Sequence, residues 1–243
     1  MSTSDPPHTR RPIHDAFVEV ARAFEDERLT PLGLVEEDVP AHFARMEGTM
    51  KTTHYALESR RFRGAGGACA TLAIMTDTAG GELASVTISC CPPSGNGWPI
   101  LGVDLVSFRK MMNLVVLDVS PLAPDTADPA TEVLAALKPS FEDRLPTRKR
   151  PEFVSQTFSD HAIFCAARPD DAAFVADGAR RLIQAYAAML TQGTRGPRAP
   201  EEQARMDAWC AAMRTNKKEL KALTTIFGDP ARVYLDDFLF VFA

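Results

Sequence analysis

Apolar positions in this chain follow two periodicities, and the switch between them divides it. From His14 to about Leu29 they recur at helical spacing (Phe17, Val20, Ala21, Phe24), which predicts an amphipathic helix. Between about Thr49 and Leu122 the texture changes to short runs rich in Thr, Val, Ile and Leu, broken by glycine and proline. One run ends near Arg63, before GAGG. ACATLAIMTDT and ELASVTISCC flank AGG, the pattern of a hairpin. CCPPSGNGWP reads as a loop, and ILGVDLVSF and MNLVVLDVSPL as two further strands. Strands joined by such short turns favour an antiparallel sheet.

After Pro121 the helical period returns. TEVLAALK predicts a short helix. PDDAAFVADGARRLIQAYAAMLTQG predicts a long one, with Val175, Ala179, Leu182, Tyr186 and Met189 on one stripe. Asp170 or Asp171 can cap its start, and Gly193 can stop it. GTRGPRAP is a connector, Glu201 to Phe227 reads as one helix ending at Gly228, and Pro230 opens a last helix, ARVYLDDFLFVF. Strands first and helices after predict an α+β fold in which helices cover an antiparallel sheet. Residues 13–243 read as a single domain, and the polar, proline-bearing stretch 1–12 as a flexible tail.

Composition narrows the function classes. The chain has 243 residues, 45% of them hydrophobic, enough for one substantial core. No apolar run reaches the roughly 18 residues of a membrane span, so no membrane partner is expected. The N-terminus lacks the apolar stretch of a signal peptide. Five cysteines (Cys69, Cys90, Cys91, Cys165, Cys210) without C-x-x-C spacing argue against a disulfide framework or a structural metal site. They suit reduced thiols in a cytoplasmic protein. A net charge of −5 gives no protein-wide basic field for nucleic acid; RKR (Arg148 to Arg150) and NKK (Asn216 to Lys218) are local clusters.

The residue that stands out is Asp104, inside an apolar strand. Alternation puts Val103 and Leu105 on one face and Asp104 with Gly102 on the other. If helices cover both faces, desolvation raises its pKa from about 3.9 towards neutrality, and a carboxyl that holds its proton there is a competent general acid. If one face is open, it simply meets water. Asp118, close to a Ser-Pro turn, reads as a structural cap. Adjacent Cys90 and Cys91 must point to opposite faces, one to the core and one towards solvent, so they make a poor redox pair. GAGG is no dinucleotide fingerprint, since it lacks G-x-G-x-x-G and a following helix. Scattered histidines form no nucleophile–base signature.

Several stretches, taken in order, resemble the ferredoxin-dependent bilin reductases. Glu58-Ser59-Arg60 stands where that family has an E-N-R-like strand entry. PILGVDLV is similar to its P-L-[FI]-G-x-D-[IV]-V motif, and LDVSPL to the D-[LF]-S-P that follows. RKRPEFVSQTFSDHAIF and NKKELKALTTIFGDPARVYLDDFLF resemble two later segments. The order holds from Glu58 to Phe240, about three quarters of the chain. The resemblance implies a three-layer α/β/α sandwich around a central antiparallel sheet. It implies an oxidoreductase acting on CH–CH groups of biliverdin, a linear tetrapyrrole bound between sheet and C-terminal helices. Electrons would come singly from ferredoxin, a 2Fe-2S protein, with no bound cofactor and no metal, in a monomer. Asp104 matches the family's catalytic aspartate, and Asn216 a catalytic position that is Asn or Asp in different members. Lys218, and Arg148 or Arg150, match groups that pair with the pigment's propionates, and Asn113 falls near one of them.

The departures shape the expected product. Where some members carry a histidine this chain has Thr87, which can line the substrate site but not act as an acid. Their catalytic glutamate falls on Ala73 or Met75. His161 is either a replacement acid or a surface residue. This count of acids favours a two-electron, dihydrobiliverdin-type product over a further-reduced phycobilin. The alternative is a non-catalytic bilin-binding protein that kept the pocket alone.

Overall fold

The computed structural model describes residues 11–28, 33–95, 97–123, 128–191 and 198–242. Residues 1–10 of the expected tail, Leu29 and the expected stop at Gly193 lie outside them.

The β-textured stretch folds into one antiparallel sheet. Its long strands are β3 (Thr53–Arg63), β4 (Cys69–Asp77), β5 (Glu82–Cys91), β6 (Ile100–Phe108) and β7 (Met111–Ser120), each paired with its chain neighbour. Short strands β1 (Val35–Glu37) and β2 (Arg45–Met50) share the outer edge of β3, and β8 (Ile163–Ala167) closes the other side. These three were not legible: β1 is three residues with two adjacent glutamates, β2 begins with charges at Arg45 and Glu47, and β8 sits inside a helical half of the chain.

Alternation gives the sheet two unlike faces. Leu72, Val86, Ile88, Val103, Leu105, Val115 and Leu117 point to one of them. They pack there on helices α1 (Pro12–Arg28), α3 (Pro129–Arg144) and α4 (Ala172–Leu190). The predicted stripe Val175, Ala179, Leu182, Tyr186 and Met189 of α4 is buried against it. Removing these side chains from water is the main driving force, at about 25 cal/mol per Å².

The opposite face is covered by α5 (Pro200–Arg214), α6 (Lys217–Phe227) and α7 (Pro230–Tyr234), and by the four-residue α2 (Ala41–Ala44) against β3. Their apolar contribution is aromatic: Phe43, Trp209, Phe227, Tyr234, Phe238 and Phe240 are buried here with Leu57, Ala73 and Val116 from the sheet. Trp209 stacks on Phe242, and Phe43 packs on Phe238. The fold is therefore the three-layer α+β sandwich that the strand-then-helix order and the resemblance implied.

Four local expectations need correction. The helix expected over Glu201–Phe227 is two helices, broken at Thr215 and Asn216. Asn216 leaves helical geometry and caps α6 with its side chain, a competition with the backbone that Asn wins easily. Asp171 does not cap α4 through its side chain but takes an ion pair from Arg144 at 2.8 Å. The final helix is short, with α7 giving way to a π-turn over Leu235–Leu239. Cys90 and Cys91 do face opposite clusters, yet both are buried.

Helix α6 reaches its position through one close contact. A β-carbon on Gly48 of β2 would overlap the carbonyl of Ile226 near the end of α6, and the Phe227 ring at 2.8 Å. Backbone cannot yield there as a flexible side chain could. Gly48→Ala is expected to destabilise the protein by about 2 kcal/mol through overpacking, read from the midpoint of urea unfolding, with α6 displaced outward.

Candidate active site

Strand register lays a row of residues across the aromatic-helix face of the sheet. Ser59 pairs with Ala73, Ala73 with Thr87, Thr87 with Asp104, Asp104 with Val116, and Val116 with Phe164. Asp104 thus occupies the middle of the sheet, its side chain turned away from the Val103/Leu105 core. Ala73, not Met75, is the residue directly beside Thr87; Met75 lies on the same face one pair further along.

Thr87 donates a hydrogen bond from Oγ1 to Asp104 Oδ1 at 2.9 Å. Asp104 keeps partial solvent contact. Even so, desolvation pushes its carboxyl well up from the ordinary value, and the Thr87 hydrogen bond, which favours the charged form, offsets this only in part. Opposite it, on the first turn of α6, is a carboxyl that the sequence reading passed over. Glu219 is pushed up first by burial and second by the charge of Asp104; the Asn216 hydrogen bond opposes both. Two carboxyls that feel each other in a covered site cannot both ionise cheaply, so the pair retains a proton towards neutral pH.

Asn216 holds that arrangement. Its Oδ1 accepts from the Glu219 backbone N–H at 3.3 Å, while its Nδ2 donates to Glu219 Oε2 at 3.1 Å. The N-x-x-E spacing is a variant of the capping box and was the signal available in the sequence. Tyr234 completes this end of the site. It is fully buried, shares a 2.7 Å hydrogen bond with Ser59 Oγ, and its phenol is pushed up by burial and by the charge of Glu219. Arg61, whose guanidinium lies 4.2 Å from the Phe238 ring centroid, donates to the Phe238 carbonyl.

At the other end Asp118 is wholly buried and accepts hydrogen bonds from Ser120 and from both the backbone and hydroxyl of Ser159. Trp209 donates to Ser120 at 2.9 Å, joining α5 to the same network. Burial raises Asp118 to about 6 against these bonds. Its role is structural, but it fastens a segment 41 residues away rather than capping its own turn.

The remaining residues singled out from sequence fall nearer the surface. Arg150 is half-buried, 5.9 Å from the Phe164 ring centroid, and its charge reaches Asp118; Arg148 is exposed. Lys218 and Asn113 are exposed, on α6 and β7. His161 is exposed on the turn before β8. Geometry therefore brings Asp104, Thr87 and Asn216 together with Glu219, and leaves Lys218, Arg148, Asn113 and His161 outside that group.

A family model described as ferredoxin-dependent bilin reductase matches residues 23–241. The chain belongs to the ferredoxin-dependent bilin reductases. It is an oxidoreductase of that class, taking electrons from ferredoxin with no bound cofactor of its own. The fold is that of a solved phytochromobilin synthase from tomato in complex with biliverdin: TM-score 0.74 at 17% identity, covering 92% of this chain and 82% of the other. No curated protein sequence matches the chain. Among the described residues, no helix of this bilin reductase is long and apolar enough to cross a membrane.

Raised carboxyls make the site a source of pH-dependent instability. Because the folded values of Asp104 and Glu219 lie above the unfolded ones, their contribution is fully present below about pH 4 and is lost as pH rises through the raised values. Asp104→Asn keeps an acceptor for Thr87 and removes the repulsion. Thermal melts should show the variant more stable than wild type at pH 8 by about 1 to 3 kcal/mol, with the gain gone at pH 4.

Proposed function

We propose that this bilin reductase reduces biliverdin IXα by successive single-electron and proton transfers, to a dihydrobiliverdin-type product. The observation that carries the reading is Asp104, a carboxyl at mid-sheet beneath the C-terminal helices, hydrogen-bonded to Thr87 and with its affinity for a proton raised by desolvation, in a chain of this family. Saturating one carbon–carbon double bond takes two electrons and two protons. Reduced ferredoxin supplies the electrons one at a time, and Asp104 places a proton on the pigment radical. A protonated tetrapyrrole is the better electron acceptor, which is why a neutral acid, not a carboxylate, is needed at this point.

Roles for the neighbours follow from their chemistry. Thr87 orients Asp104 through its hydrogen bond and lines the substrate site. Asn216 caps α6 against the opposite side of the pigment. Of the two arginines, Arg150 is the better propionate partner, because it is half-buried beside Phe164 while Arg148 points to water; Lys218 and Asn113 can meet propionates from the rim. His161, exposed before β8, is given no step. Neither Ala73 nor Thr87, which share the row with Asp104, can act as an acid, and this supports a single two-electron reduction.

Anaerobic turnover with biliverdin, ferredoxin and a ferredoxin-reducing system tests the reading. Wild type should yield a two-electron product only when ferredoxin is present. Asp104→Asn should bind the pigment with an unchanged absorbance shift and lose about 100-fold in rate. Pigment bands that shift on binding and never change under electron supply would instead show a pocket without this chemistry. Arg150→Ala should weaken biliverdin binding about tenfold, and Arg148→Ala far less. Exposed Arg148, Lys149 and Lys217 suit an acidic donor, so KM for ferredoxin should rise with salt.

A further inference from the structure

We propose that Glu219 is a second proton donor, facing the pigment from α6 opposite Asp104, so that the two carboxyls supply the two protons of one double-bond reduction. The inference rests on the biliverdin-reducing function proposed above. Four observations lead to it. Glu219 is a half-buried carboxyl in the first turn of α6, within reach of the charge of Asp104 on the sheet. Its side-chain partner is the Asn216 amide, which donates to Oε2, and among the described residues no salt bridge neutralises it. The titratable groups whose charges it shares are Asp104 from β6 and Tyr234 from α7, so it stands between the mid-sheet acid and the buried phenol. The fourth is the break at Thr215 and Asn216, without which Glu219 would ride on a continuous helix.

Capping alone does not account for a carboxyl here. Asn216 Oδ1 already caps the Glu219 backbone N–H, and a glutamine could accept the Asn216 amide as well. A glutamate at a helix start normally lies in water as a charged group, where the helix dipole favours it. This one is half-buried and feels another carboxyl, which disfavours its charge and keeps its proton available. In the proposed reaction one reduced ferredoxin gives an electron and Asp104 a proton. A second ferredoxin and Glu219 then give the second electron and proton, so the double bond becomes two C–H bonds. Both acids end as carboxylates and are reprotonated from water.

Glu219→Gln and Glu219→Asp, with Asp104→Asn as the reference, test the assignment. Infrared titration of the protein without pigment should show a protonated-carboxyl band that Glu219→Gln removes and that Asp104→Asn moves to lower pH. In anaerobic turnover Glu219→Gln should bind biliverdin within about threefold of wild type. Its product formation should fall about 100-fold, a bilin radical should persist by electron paramagnetic resonance, and the basic limb of the wild-type kcat profile should be lost. Glu219→Asp should recover part of the rate. Turnover by Glu219→Gln within about threefold of wild type with the basic limb intact, or a loss confined to KM, overturns the proposal. Wild type that neither binds nor reduces biliverdin, with the carboxyl band present, overturns the proposed function itself and this inference with it.

Discussion

A carboxyl in the middle of a covered sheet is the constraint around which this molecule is arranged. Asp104 could have been solvated at no cost had its face of the sheet stayed open. Instead α5, α6 and α7 lie across that face, and the charge of Asp104 becomes expensive. Among the described residues no cation offsets that cost. One hydroxyl, Thr87, moderates it, and a second carboxyl, Glu219, adds to it. Groups arranged in this way hold protons that a proton-delivering enzyme can use, at the expense of folding stability.

The two faces of the sheet divide the work. One is a continuous apolar layer, mainly aliphatic on the sheet side, packed against α1, α3 and α4. The other is interrupted by Ser59, Arg61, Thr71, Thr87, Ser89, Asp104, Asp118 and Ser120, with an aromatic border from the C-terminal helices. Some of these polar groups pair with one another, as Ser59 does with Tyr234 and Asp118 with Ser159. Among the described residues, the hydroxyls of Thr71 and Ser89 are buried without a hydrogen-bond partner. A continuous apolar back layer offsets the cost of carrying such groups in the front layer.

Legibility from sequence followed the strength of the local signal. Long strands with hairpin turns, and the long amphipathic α4, were readable because periodicity extends over many residues. β1 and β2 were not, since three and six residues that carry charges and little apolar alternation do not differ from a loop. Asp104 was conspicuous because apolar neighbours flank it. Glu219 was not, because it sits in a run of charged residues (NKKELK) that reads as a solvated helix face. The break at Asn216 places that carboxyl in the first turn of α6, where the Asn216 amide holds it.

By itself, then, the sequence determined the run of long strands followed by helices, the face Asp104 occupies, and the ordered motifs that mark the family. These are properties of chain neighbours, governed by side-chain period and turn chemistry. Which residues share the site was decided by tertiary structure. The row Ser59–Ala73–Thr87–Asp104–Val116–Phe164 exists through strand register. The approach of Glu219 and Tyr234 to Asp104 exists through the packing of α6 and α7 over the sheet. Glu219 lies more than a hundred residues from Asp104 along the chain. The raised carboxyls follow from that packing, because desolvation and charge repulsion act through space and leave no trace in local sequence.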